Sequence, residues 1–237
     1  MAPRQQPEQQ APPVQRLDIR YAKRGRARFT SHRDFSRAFE RALRRARVPM
    51  AYSSGFTPHP RISYANASPT GAATEAEYLE IGLAEIIDPL TLAPALSAAL
   101  PDGLEILDVQ EALPGGLAAQ LTASQWRIRL ADVDPGTVAA AVVSLLAAES
   151  LAVTRMTKRG ERSFDARAAV LALTVVDEGL ELVSEHTTPL VRPDDVLTAL
   201  RQAEPGFHPG APVLMRMAQG SWNGRAVIGP FEARRGG

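Results

Sequence analysis

Arg33, Arg37, Arg41 and Arg45 recur at every fourth residue, with Arg44 and Arg47 beside them. On a helix, side chains four apart share one face. The guanidinium fork matches phosphate oxygens, so such a row would track a phosphate backbone. Each phosphate it neutralised would steepen the salt dependence of binding by about 0.9 on a duplex or about 0.7 on a single strand. The bland alternative is a solvated helix face with Glu40 and Arg44 as an i,i+4 pair. A row of four arginines repels itself in isolation, which favours an anionic partner.

The segment 51–61, Ala-Tyr-Ser-Ser-Gly-Phe-Thr-Pro-His-Pro-Arg, sets Tyr52, Ser53, Phe56, His59 and Arg61 in a stretch punctuated by glycine and proline. Rings interleaved with donors are what single-stranded RNA recognition requires, a face to stack a base and polar groups for phosphates and base edges. Tyr52 and Phe56 could equally anchor a long loop in the core. Lys158, Arg159 and Arg162 lie in a second basic stretch, the hairpin-like loop 158–167, which could extend an anion-binding surface or be a charged turn.

His32 and His59 frame the basic region. If they converged they could serve as general acid and base in RNA cleavage, because histidine titrates near neutrality. They could instead ligate a divalent metal with Glu75 or Glu77. A histidine just after a helix cap is more often a structural hydrogen-bonding residue, so no metal site is assigned. The sequence has no Gly-Lys-Ser/Thr phosphate loop, dinucleotide fingerprint, HExxH or GxSxG motif. No cofactor is expected.

These residues need elements to position them. Leu17, Ile19 and Tyr21 alternate as in a half-buried strand over 16–22, and Phe29 would resume it after a basic turn. Ser31 reads as an N-cap with Asp34 three residues on, and Phe35, Ala38, Phe39, Ala42, Leu43 and Ala46 form one apolar stripe that Pro49 stops. Strands are expected over 61–65 and 77–83, a helix from Asp88-Pro89 to about Leu100, and a strand over 104–109. That is the β-α-β-β-α-β order of a ferredoxin-like split βαβ.

Gly115 and Gly116 mark a linker over 113–122, after which the order repeats with one extra hairpin-like pair. Strands are expected over 125–130, 151–158, 168–176, 180–185 and 213–219, with helices over 135–149 and 193–202. The expectation is an α+β chain of two tandem ferredoxin-like modules with antiparallel sheets, 16–112 and 123–228. A disordered tail is expected over 1–15 and a flexible one over 229–237.

The charge is strongly polarised. Residues 16–61 carry a net +10 and residues 64–150 a net −10, although the whole chain is only +1. A basic face kept solvated by an acidic remainder suits a polyanion, while the high arginine usage alone would cluster some cations by chance. With no cysteine, the chain offers no disulfide, thiolate metal site, cysteine nucleophile or iron–sulfur ligand. The Gln- and Pro-rich start lacks the apolar core of a secretory signal, and no stretch is long and apolar enough for a membrane span. A cytoplasmic protein is expected, without membrane association.

Three stretches together resemble the bacterial radical-SAM-linked family. They are Lys23-Arg24-Gly25 through Arg28-Phe29, Ser31-His32-Arg33-Asp34 with Arg37 to Ala46, and Tyr52-Ser53, Gly55-Phe56 and Pro58 to Ser63 followed by Glu75 to Tyr78. Phe164-Asp165 with Arg167 is similar to a later motif. Arg33 and Thr57 stand where that family usually has Leu and Asn. The resemblance implies a domain found alone or fused behind a radical SAM enzyme, whose cluster-binding cysteines would belong to that partner. It also implies an association with an RNase E/G-type ribonuclease.

The expected function is an RNA-binding or substrate-presenting accessory protein without catalysis of its own. In it Arg37, Arg41, Arg44, Arg45 and Arg61 would hold phosphates, and Tyr52 or Phe56 would stack a base. The alternatives are an RNA-cleaving or RNA-modifying enzyme using His32 and His59, and an adaptor docking an acidic protein.

Overall fold

The computed structural model describes residues 9–157 and 160–235. It divides into two compact units, one ending at Ala119 and the other beginning at Gln120. The division falls inside the expected 113–122 linker. There a short 3-10 turn, Ala118–Gln120, lies between the buried Leu117 and Leu121.

Unit 1 is built from β1 (Gln15–Lys23), α1 (His32–Arg45), β2 (Ile62–Ala65), β3 (Ala73–Leu83), α2 (Pro89–Ala99) and β4 (Leu104–Glu111). Its antiparallel strand order is β4-β1-β3-β2. Alternation decides the faces: Leu17, Ile19 and Tyr21 of β1 meet Leu79, Ile81 and Leu83 of β3 in one core with Phe35, Phe39 and Leu43 of α1. Tyr21 stacks on Phe35 with ring centroids 4.3 Å apart. Burying each of these large side chains contributes about 1.5–3 kcal/mol, so the apolar stripe of α1 fixes which face is left for its arginines.

Both ends of α1 are set locally. The Ser31 hydroxyl accepts from the Asp34 N–H at 3.2 Å and donates to the Asp34 carboxylate at 2.6 Å, a cap typically worth about 1 kcal/mol. The helix ends before the expected stop at Pro49. Arg47 takes φ +53°, the Val48 N–H donates to the Leu43 carbonyl and the Arg47 N–H to the Arg44 carbonyl. This pair of bonds is a Schellman termination with an arginine in the place glycine favours.

Unit 2 comprises β5 (Ala123–Arg129), α3 (Pro135–Ala147), β6 (Ala152–Thr157), β7 (Gly160–Asp165), β8 (Val170–Val176), β9 (Gly179–Glu185), α4 (Pro193–Ala203), β10 (Val213–Trp222), β11 (Val227–Ile228) and α5 (Pro230–Arg235). Its sheet runs β8-β9-β5-β10, antiparallel, with β11 on the end of β10. Read by order of appearance, with the β6–β7 hairpin set aside, this is the strand order of unit 1. Val138, Val142 and Leu145 of α3 are buried, as are Trp126, Ile128, Leu180 and Leu182 of the sheet and Val196 and Leu200 of α4.

The α+β class with antiparallel sheets holds, and several local expectations need correction. Phe29 closes a 3-10 turn, Gly25–Phe29, and does not resume β1. Of the expected hairpin-like basic loop 158–167, residues 160–165 form strand β7, which pairs with β6 in a hairpin. Of the segment 229–237, expected as a flexible tail, residues 230–235 form α5 with Phe231 buried, and Gly236 and Gly237 lie outside the described residues. Of the expected N-terminal tail, residues 1–8 lie outside the described residues, and Gln15 already belongs to β1. No helix among the described residues is long and apolar enough to cross a membrane.

Candidate nucleic-acid interface

The solvent face of α1 carries its arginines outward. Arg37, Arg41, Arg44 and Arg45 line one open depression of about 500 Å³ with Glu40 as its carboxylate. From Arg37 to Arg45 the row runs for about 12 Å along the helix, at about 1.5 Å per residue. Among the described residues, the side chains of Arg33, Arg37 and Arg41 make no hydrogen bond or ion pair. Arg44 reaches back to Glu40, with Nη2 3.5 Å from Oε2 and Nε donating to the Glu40 carbonyl at 3.2 Å. Arg45 is a marginal 3.5 Å from the Ala99 carbonyl.

Two other arginines of unit 1, Arg24 and Arg16, are held by carboxylates. Arg24 forks between Glu75 and Glu105, with Nε 2.6 Å from Glu75 Oε1. Its hydrogen bond to Glu75 is the largest influence on its pKa, which is raised further above the usual arginine value. Arg16 meets Glu80 at 3.4 Å. The α1 face therefore gathers on one helix three arginines, Arg33, Arg37 and Arg41, that have no counter-ion among the described residues.

Segment 50–61 is a small hairpin stitched to β3. The Ala51 N–H donates to the Gly82 carbonyl, the Gly82 N–H to Arg61, the Arg61 N–H to Ala51, and the Ser53 N–H to His59. The Ser53 hydroxyl accepts the His59 N–H at 3.0 Å, so this side chain closes the loop. At the tip Gly55 takes φ +128°, a conformation that only glycine adopts without strain. The tip ring, Phe56, is 69% exposed and Tyr52 is 43% exposed, so neither is a core anchor. Tyr52 and His59 line a second depression of about 200 Å³ that shares Glu40 and Arg44 with the arginine face.

Some predicted residues are not brought together. Arg61 lies in a separate depression with Arg16, Ser63 and Glu80, and its Nε donates to the Tyr52 carbonyl. Its backbone register against Gly82 turns it away from the α1 row. His32 opens α1, where its ring meets Tyr64 edge-on at 4.7 Å. His59 lies beside Glu40 and Arg44, residues about 12–18 Å further along the helix axis. His59 lines the Tyr52 depression and His32 does not.

Glu77 is buried, with both carboxylate oxygens accepting from the Ser68 N–H at 3.1 and 3.3 Å. Glu75 holds Arg24. Among the described residues no three His, Asp or Glu side chains converge as metal ligands.

Arg162 is exposed on β7 opposite Arg155, whereas Lys158 and Arg159 lie outside the described residues. Sequence reasoning missed Phe29, whose ring is 59% exposed under the Arg28 guanidinium at 4.6 Å. It also missed that Glu40 joins the two depressions. The spacing signal for Glu40 was present, since it lies one residue before Arg41 and four before Arg44.

Comparison with solved structures gives distant likenesses. An unknown protein from Galdieria sulphuraria is 17% identical over 85% of this chain and 98% of that one, with a TM-score of 0.27. The acetolactate synthase small subunit from Thermotoga maritima is 9% identical over 88% of this chain and 98% of that one, with a TM-score of 0.26. At such scores neither carries an argument about this chain. No curated protein matches. A family model described as an uncharacterized protein conserved in bacteria (DUF2344) matches residues 16–193, and its description says nothing of radical SAM enzymes. Because the match spans most of the chain, the protein belongs to this bacterial family.

Proposed function

We propose that this protein binds single-stranded RNA through unit 1, with the α1 arginines on the phosphates and the 50–61 hairpin offering rings to the bases. The observation that carries the reading is the set of uncompensated cations on α1, continuous through Glu40 and Arg44 with the Tyr52 depression. A duplex would need only the cations. The exposed Tyr52 and Phe56 favour a strand whose bases are free to stack.

The shared strand order supports reading the two units as tandem ferredoxin-like modules. Within this reading the protein is an accessory that holds or presents RNA without performing chemistry on it. Presentation to a radical SAM enzyme or a ribonuclease rests on the family resemblance alone.

The test is fluorescence anisotropy with labelled single-stranded, hairpin and duplex RNA across a salt series. The native protein should prefer single strands, with affinity falling as salt rises. Replacing Arg41 and Arg45 with alanine should weaken binding at least roughly tenfold and make the salt slope shallower by about 1.4, two phosphates at about 0.7 each. Failure to bind any RNA at low salt overturns the proposal and leaves the face to an acidic protein partner.

A further inference from the structure

We infer that the depression between α1 and the 50–61 hairpin is a pocket for one unstacked guanine, with Glu40 reading its Watson–Crick edge and Tyr52 supplying the stacking face. The inference rests on the single-stranded RNA reading and specifies which base that reading would favour.

Three features point to a single base. At about 200 Å³ the depression is smaller than the roughly 300 Å³ at which pockets for drug-sized ligands begin. That suits one flat ring system and excludes a folded RNA element. Its lining is divided: Leu43, Val48, Met50 and Pro58 give apolar walls, while Glu40 and His59 give polar groups. Its mouth shares Arg44 with the arginine depression, so a nucleotide whose phosphate lay on the arginines would have its base beside the pocket.

Glu40 then sets the choice of base. An ionised carboxylate only accepts hydrogen bonds. Arg44 Nη2 lies 3.5 Å from Oε2, and Oε1 has no hydrogen-bond partner among the described residues. Guanine presents two donors side by side, N1–H and the N2 amine, which two carboxylate oxygens can accept together. Adenine and cytosine place an amine next to a ring-nitrogen acceptor, so one carboxylate oxygen would face a lone pair. Uracil offers one N–H between two carbonyls. Glutamate therefore favours guanine and disfavours the other three, as a buried mismatch of donors and acceptors does elsewhere.

The experiment compares short oligouridines carrying one central guanosine, inosine or adenosine, measured by competition for the native protein and for Glu40→Gln. The guanosine oligomer should bind native protein roughly tenfold more tightly than the adenosine one. Inosine, which keeps N1–H and lacks the amine, should fall between them. Glu40→Gln, with one oxygen and one donor in place of two acceptors, should bring the guanosine-to-adenosine ratio close to one while its circular dichroism matches native. Equal binding of all three oligomers by native protein overturns the guanine pocket and leaves RNA binding intact. A preference that survives Glu40→Gln overturns the role of Glu40. Absence of binding by every oligomer overturns the RNA reading and this inference with it.

Discussion

The two units share a strand order and use their first helix differently. In unit 1, α1 carries Arg33, Arg37, Arg41, Arg44 and Arg45 with Glu40 on its solvent side. Its counterpart α3 has no charged residue over Pro135–Ala147 and leaves Val143 exposed. Both helices bury a stripe against their sheets, because that stripe is what the fold requires of them. The outer face is free of this requirement, and only in unit 1 does it acquire an unneutralised row of cations.

The segment after each helix differs as well. Between first helix and second strand, unit 1 inserts the 50–61 hairpin and unit 2 inserts β6–β7. The hairpin of unit 1 is closed by Ser53 and shows rings at its surface. That of unit 2 is anchored at its base by Asp165, whose Oδ1 accepts from the N–H groups of Leu151 at 3.0 Å, Arg167 at 2.9 Å and Ala168 at 3.4 Å. Burial raises the Asp165 pKa, and these N–H bonds together with a hydrogen bond from the Ser150 side chain outweigh it, so the carboxyl is held below its usual value. One fold position thus carries a recognition hairpin in unit 1 and a structurally anchored one in unit 2.

Asp165→Ala should be the most damaging change. It leaves three N–H groups without an acceptor, at a cost of about 2–3 kcal/mol, and should lower the melting temperature of unit 2 by about 10 °C or more in calorimetry. RNA affinity below that transition should be unchanged. A loss of affinity matching the arginine variants would mean that the unit 2 hairpin also recognises RNA, and the contrast between the units would fail.

How far each unit was legible in sequence depends on where its signals lie. The cap and stripe of α1 are local: Ser31, Asp34 and a repeating apolar pattern specify them without the rest of the chain. Strand β7 has no such pattern. Gly160 to Ser163 are exposed, and the strand exists because β6 pairs with it. Helix α5 is six residues of mostly Pro, Arg and Glu around one phenylalanine, and the burial of Phe231 is a tertiary fact. At the site, the arginine row was readable from its spacing. The outward turn of Arg61 was not, because it depends on register with Gly82, a partner 21 positions away. The separation of His32 from His59 likewise depends on where the hairpin is stitched to β3.

Acid should separate the units a second way. In unit 2, His186 Nδ1 lies 2.7 Å from the Leu121 carbonyl and Nε2 lies 2.8 Å from the Ser124 hydroxyl. The carbonyl can only accept, so Nδ1 carries the proton and Nε2 accepts from Ser124. Burial, with Arg216 nearby, depresses the His186 pKa despite the Leu121 bond. A depressed folded pKa means the unfolded chain binds the extra proton first. The stability contribution is therefore intact above the ordinary pKa of 6.5 and is lost as pH falls through the folded value. One proton bounds the slope at about 1.4 kcal/mol per pH unit. Between about pH 7.5 and 5, a window spanning the ordinary histidine value, calorimetry should find unit 2 losing more stability in native protein than in His186→Gln. An identical loss in both would assign the acid response to other groups.

The smallest effect concerns the end of the arginine row. Arg47 holds a left-handed conformation that costs a side-chain-bearing residue about 1–2 kcal/mol, and it lies at the position where helices favour glycine. Glycine there regains that cost and gives back about 0.5–1 kcal/mol to the freer unfolded chain. Arg47→Gly should therefore stabilise unit 1 by about 0.5–1 kcal/mol, measured as a shift in its urea midpoint at constant m-value. Arg47 is outside the depression lined by Arg37, Arg41, Arg44 and Arg45, so RNA affinity should hold near the native value while stability rises. A drop in affinity as large as that caused by Arg41→Ala would instead extend the phosphate track around the C-terminal end of α1. The helix cap would then belong to the recognition surface, and its strained arginine would be retained for binding at the expense of stability.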